Sequence, residues 1–271
     1  MLDGRWLVLA VGLLTVSTSA QTAATSADQH SLNSILMRLQ IRHWEYVREI
    51  PDFFAEETVY SDMNSLHANG MRTVTESIFR LRRGEKDVFP PELFETRVVR
   101  RFNGSKSDGD ALTVPSLVVG VFSNGLGTVT LEEKRCYDFH LVSHRPVHRA
   151  PVFEIDYRMK PEMVGTVACG PWPDISGYAI VDATSFEMLT VEMKVPHYLV
   201  NPGVHGTWRW WIDYAPVIFD GRRFSMPKKI QSEAQSDDGR LSWSFVADYR
   251  NYHKTDVKSR IIENLNDATP H

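Results

Sequence analysis

The stretch over residues 177–262 constrains this 271-residue chain more than any other part of it. Within 207–214, Trp208, Trp210, Ile212 and Tyr214 fall on one face, and Thr207, Arg209, Trp211 and Asp213 on the other. Further on, Leu241, Trp243, Phe245, Ala247 and Tyr249 share a face against Ser242, Ser244, Val246 and Asp248. Side chains alternate with period two in a strand, so each run reads as a one-sided strand with an aromatic inner face. Several such strands in succession predict a curved antiparallel sheet with a greasy concave side, which suits holding an apolar molecule. Trp208, Trp210, Tyr214, Trp243, Phe245 and Tyr249 are the candidate ligand-lining residues. An aromatic face is also ordinary core, and in a half-open barrel the two roles share one surface.

Turn chemistry divides the rest. Asp220 with Gly221, and Asp237 and Asp238 with Gly239, are hairpin signals. They separate predicted strands over 177–182, 186–195, 205–214, 217–219, 223–226, 229–235, 240–252 and 256–262. Upstream, Leu32, Ile35, Leu36 and Leu39 recur at helical spacing, Ser31 can cap the first turn, and Pro51 stops the chain, predicting a helix over 31–50. Strands are predicted over 53–60, 72–83, 96–102, 131–142 and 152–159, with a turn at Asn103 and Gly104 and a loop over 161–173 that holds Cys169. The apolar stretch 114–126, broken by Gly120 and Gly125, reads as a short helix over the mouth of the sheet or as a loop. No helices alternate with the strands, so a parallel α/β fold is excluded. The expected class is α+β: a half or incomplete β-barrel with an N-terminal helix and a short helix or loop over its concave face.

The N-terminus speaks to location. Arg5 supplies a basic region, Trp6 to Val16 an apolar one too short to span a bilayer, and Thr18, Ser19 and Ala20 the small residues a signal peptidase needs. This predicts a signal peptide over 1–20, a flexible leader over 21–30 and one β-rich domain over 31–271, exported to the periplasm or medium. No later run reaches the ~18 apolar residues of a membrane helix. A net charge of −4 gives no nucleic-acid footprint. Arg80, Arg82, Arg83, Arg97, Arg100 and Arg101 alternate with apolar residues and read as solvent faces of strands. In an oxidising compartment the two cysteines, Cys136 and Cys169, read as a disulfide closing a loop of about 33 residues, with two separate buried thiols as the alternative.

Residue chemistry points away from catalysis. His140, His144 and His148 stand four apart, but Pro146 stops a helix there, and on a strand four residues span about 13 Å, too far to share one metal ion. Ser123 lies in a sequence that misses the Gly-x-Ser-x-Gly elbow by one residue and lacks its strand-then-helix setting. Glu132 and Glu133 are adjacent and would face opposite ways on a strand, wrong for a paired acid and base. No cofactor and no metal is expected.

Three segments carry a resemblance: Gly177 to Asp182 with Ala183 to Phe186, Tyr214 to Gly221, and Phe245 to His253 leading into Val257 to Ile261. Together with the order signal peptide, helix, open sheet, they resemble outer-membrane lipoprotein-carrier-like (LolA-like) proteins, of the kind seen among exported acidobacterial proteins. The resemblance covers about the last hundred residues well and the rest in outline. It implies a scoop-shaped cavity for an acyl chain, lipid or lipoprotein. No residue here matches a carrier's lipid-releasing arginine, so none is carried over. The rival classes are a secreted hydrolase whose residues converge only in the fold, an envelope protein with a filled barrel, and a sugar-binding module. The last usually sets carboxylates and amides beside its rings, and the inner faces of the two strands carry neither.

Overall fold

Helix α1 spans Ser19–Glu49, and no glycine or proline interrupts it before Pro51. It forms part of a computed structural model that describes residues 19–65, 68–84, 92–107, 121–147 and 150–255. The buried residues Leu32, Ile35, Leu36, Leu39, Tyr46 and Val47 keep to one face of α1, and that face packs into the core. Each large apolar side chain so buried contributes roughly 1.5–3 kcal/mol. The helix begins at Ser19, earlier than the Ser31 cap predicts. The alanines and glutamines ahead of Ser31 are good helix formers, and nothing there halts propagation from the anchored turns. At the other end Arg83 donates hydrogen bonds to the carbonyls of Ile50, at 2.6 Å, and of Arg48. A guanidinium is thus set against the carbonyl end of the helix.

The strands are β1 (Phe53–Ser65), β2 (Ala68–Arg83), β3 (Leu93–Phe102), β4 (Ser105–Lys106), β5 (Tyr137–Val147), β6 (Ala150–Met159), β7 (Ser176–Asp182), β8 (Met188–Asn201), β9 (Val204–Phe219), β10 (Arg222–Ser236) and β11 (Ser242–Lys254). They form one antiparallel sheet in the order β4-β3-β2-β1-β11-β10-β9-β8-β7-β6-β5. Only the β1–β11 pairing departs from a simple meander, and it joins the two halves of the chain. The outermost strands β4 and β5 do not pair with each other, so the sheet stays open. The fold class is the α+β open barrel the sequence predicts.

Several boundaries differ from the sequence reading. The predicted short strands 217–219, 223–226 and 229–235 are parts of β9 and β10, which meet in a tight hairpin where Asp220 and Gly221 both take positive φ, 49° and 77°. Both Pro216 and Pro227 lie within these long strands. Pro227 sits at a register shift between Pro227 and Lys229, where a strand tolerates a missing donor. The predicted strand over 131–142 begins only at Tyr137, because Glu132–Arg135 close into a 3-10 turn through bonds from Lys134 N to Leu131 O and from Cys136 N to Glu133 O. Four successive charged residues offer no alternating face to a sheet. In the 114–126 stretch a short helix α2 (Val121–Asn124) runs into a 3-10 turn (Gly125–Gly127). The predicted strand over 256–262 and His148 lie outside the described residues.

Candidate functional site

Antiparallel register sets the concave face out in rows. One runs Met193, Trp210, Ser232, Phe245, Ser61 and Thr73 across six strands, and the next runs Val195, Trp208, Ala234, Trp243 and Met63. All six aromatic residues singled out by the sequence stand on this face. Their exposures differ. Trp210, Tyr214, Phe245 and Tyr249 are buried, at 6, 8, 2 and 5 % exposure, while Trp208 and Trp243 are half-buried. Trp243 stacks on Phe245 with centroids 6.2 Å apart, and Trp208 lies 5.1 Å from Tyr198 and donates its indole hydrogen to Ser232 Oγ at 2.8 Å. The structure brings Tyr249 to a second cluster, in which Phe122 of α2 sits 4.4 Å from Phe79 and 5.0 Å from Tyr249.

Beneath α2 lies a polar network that the sequence reading missed. The Glu57 carboxylate is fully buried on the concave face. It accepts hydrogen bonds from Arg97 Nε at 2.9 Å, Tyr249 OH at 2.7 Å and Ser77 Oγ at 2.5 Å. Arg97 also lies over the Phe79 ring at 4.9 Å and 3.8 Å from Glu95. Burial, the largest single effect, lowers the Arg97 pKa, but the Glu57 charge and Tyr249, with the hydrogen bonds to both, together hold the guanidinium above its ordinary value. Burial, reinforced by Glu57, pushes the Tyr249 phenol well above its ordinary value. Arg97 is therefore not the solvent-facing strand residue its alternation suggests. Ser123 donates from Oγ to Glu95 at 2.7 Å and from its backbone N at 3.1 Å, tying α2 to β3.

Beside α1 opens a groove of about 740 Å³ between that helix, the β7–β8 turn and the β9–β10 hairpin. Leu39, Leu126, Phe186, Met188 and Phe224 supply its apolar lining, and Arg42, Glu45, Glu49, Glu187, Arg222 and Arg223 its charged rim. The rim is paired throughout: Arg42 to Glu45 at 3.0 Å, Arg222 to Glu49 at 2.5 Å and Arg223 to Glu187 at 2.7 Å. Turn residues hold the far wall, where Asp182 Oδ1 accepts from the backbone of Thr184 and Ser185 and Arg38 covers the Phe186 ring at 4.3 Å. These backbone bonds, Ser185's first, hold the Asp182 carboxyl below its usual value. Facing inward from α1 are His43 and Tyr46. Burial lowers the His43 pKa against the opposing pull of Glu132, and burial with Glu95 raises that of Tyr46. A sequence signal for this groove existed only in part, in the ordered turn after Asp182.

Cys136 and Cys169 are bridged, with Cα atoms 5.4 Å apart across a separation of 33 residues, which pins the 161–173 loop to the start of β5. This fits an oxidising compartment such as the cell envelope. His140 is exposed on β5, and among the described residues no three of His, Cys, Asp and Glu converge as a metal ion would require. No helix among them is long and apolar enough to cross a membrane.

The layout is one N-terminal helix on an open antiparallel sheet. Among solved structures the chain is similar to a DUF1329 family protein from Desulfovibrio piger, at 11 % identity and a TM-score of 0.38 over 86 % of this chain and 95 % of that one. It is also similar to a LolA superfamily protein from Nitrosomonas europaea, at 14 % identity and 0.33 over 83 % and 93 %. A third is a domain assigned to outer membrane lipoprotein sorting from Vibrio parahaemolyticus, at 10 % identity and 0.36 over 82 % and 93 %. Structures of the LolA kind are thus among its matches. No protein-family model and no curated protein matches the chain.

Proposed function

We propose that this is an exported, non-enzymatic binding protein that holds the apolar part of a lipid, acyl chain or lipoprotein in the groove between α1 and the sheet. The observation that carries the reading is the groove itself. Its volume of about 740 Å³ falls within the ~300–1,000 Å³ of ligand sites, and it combines an apolar floor with a few placed polar groups. The half-buried Trp208 and Trp243 extend the apolar surface at the other end of the concave face. Export follows from the N-terminal signal pattern, with cleavage after Ala20, and the Cys136–Cys169 bridge supports it.

One observation favours a second reading, a structural envelope protein whose barrel is filled: the burial of Trp210, Tyr214, Phe245 and Tyr249. Native mass spectrometry of the protein purified from its own envelope separates the two. A co-purifying mass that organic solvent extracts supports the carrier. Protein free of ligand that also fails to take up fatty esters, lipopeptides or hydrophobic dyes saturably supports the filled barrel.

A further inference from the structure

We propose that the groove selects a ligand whose polar end is uncharged, such as an ester, amide or alcohol on an apolar chain, over a fatty-acid anion. This rests on the groove being the binding site. Three buried polar atoms flank the 3-10 turn Gly125–Gly127 without a hydrogen-bond partner: the hydroxyls of Tyr46 and Tyr214 and Nδ1 of His43. Tyr46 lines the groove at 4 % exposure. A Cβ added at Gly125 would stand 2.3 Å from the Tyr214 hydroxyl, and one at Gly127 would stand 3.1 Å from the His43 ring. The glycines thus let the turn pass directly over these two side chains. Buried hydroxyls and imidazoles are nearly always paired in folded proteins. His43 and Tyr46 line the groove while Tyr214 lies under Gly125, so the unpaired atoms of the first two mark the end at which a ligand's polar group is received. Phenols both donate and accept, as does a neutral imidazole between its two nitrogens, which matches the carbonyl or hydroxyl of a neutral head.

Charge decides between neutral and anionic heads. An anion placed beside Tyr46 would meet the field of the Glu95 carboxylate, which already opposes ionisation of that phenol. His43, its pKa lowered by burial, brings no positive charge near neutral pH. On the rim Arg42, Arg222 and Arg223 each engage a glutamate, and Arg38 lies over the Phe186 ring. A cationic head would leave the acceptor capacity of the trio to donors it does not supply.

The test is displacement of a bound hydrophobic dye from the full protein by ligands that share one chain: methyl laurate, lauryl alcohol, laurate, lauryl trimethylammonium and dodecane. Methyl laurate and lauryl alcohol should bind about tenfold or more tighter than laurate, a difference of ~1.4 kcal/mol. Tyr46→Phe should weaken the ester ~5-fold and leave dodecane unchanged, because only a hydrogen bond has gone. Laurate binding as tightly as the ester to wild-type protein would overturn the inference, whatever the variant does. So would an unaltered ester-to-dodecane ratio in a folded Tyr46→Phe protein. Failure of every ligand, dodecane included, would overturn the groove reading beneath it.

Discussion

Replacing Arg97 with alanine should be among the most damaging single changes outside the hydrophobic core. Among the described residues, the substitution removes the one cation that donates to the fully buried Glu57 carboxylate, leaving it the hydroxyls of Tyr249 and Ser77. Breaking one side of a buried pair costs ~3–5 kcal/mol, because the remaining charge is stranded. Losing the guanidinium over Phe79 adds ~0.5–2 kcal/mol. The two retained donors pull the total toward the lower end, giving about 4 kcal/mol. In a protein of this size that corresponds to a fall in Tm of roughly 8–16 °C. Urea unfolding followed by tryptophan fluorescence measures it. The pair Arg97→Met with Glu57→Gln provides the control: removing both charges while keeping volume should recover most of the loss. A single substitution costing under ~1 kcal/mol, or a double costing the sum of its parts, would refute the claim of a coupled, desolvated pair.

Further outcomes follow from other parts of the structure. Cys136→Ser should cost roughly 3–4 kcal/mol through the entropy of the released loop, read by the same unfolding assay, and unreduced wild-type protein should show no free thiol. Gly177→Ala should destabilise by ~1–3 kcal/mol or more, as a Cβ there would stand 2.0 Å from Glu192 O and 2.4 Å from the Tyr157 phenol. Burial holds the folded His43 pKa below its ordinary value, so the unfolded chain takes up its proton first. Its contribution is therefore present above pH ~6.5 and is lost as pH falls from there through the lower folded value, and a Tm–pH profile of His43→Phe should be flatter over that window. N-terminal sequencing of the exported protein should begin at Gln21.

Much of the architecture could be read in the chain because it is written locally. The alternation from Trp208 to Tyr214 and from Trp243 to Tyr249 declares one-sided strands, and Asp220 with Gly221 declares their hairpin. Leu32 to Leu39 declare the face on which α1 docks. What escaped depends on register between distant segments. Arg97 alternates like any surface arginine, and only the β1–β2–β3 pairing brings it to Glu57, forty residues away in sequence. The groove is likewise assembled from α1, the turn after Asp182 and the hairpin at Arg222, which no local pattern links. Burial of the aromatic rows was ambiguous for a physical reason, since a floor under a helix and a cavity wall need the same residues.

The central claim is that an apolar chain occupies the groove beside α1. The most direct measurement is photolabelling of the full protein with a diazirine-bearing fatty ester, followed by peptide mapping with and without excess unlabelled ester. The account predicts saturable labelling confined to the segments around Leu39 to Glu49, Phe186 to Met188 and Arg222 to Ser225. Labelling that excess ester does not compete away, or that falls instead on the outer face of the sheet, would contradict it.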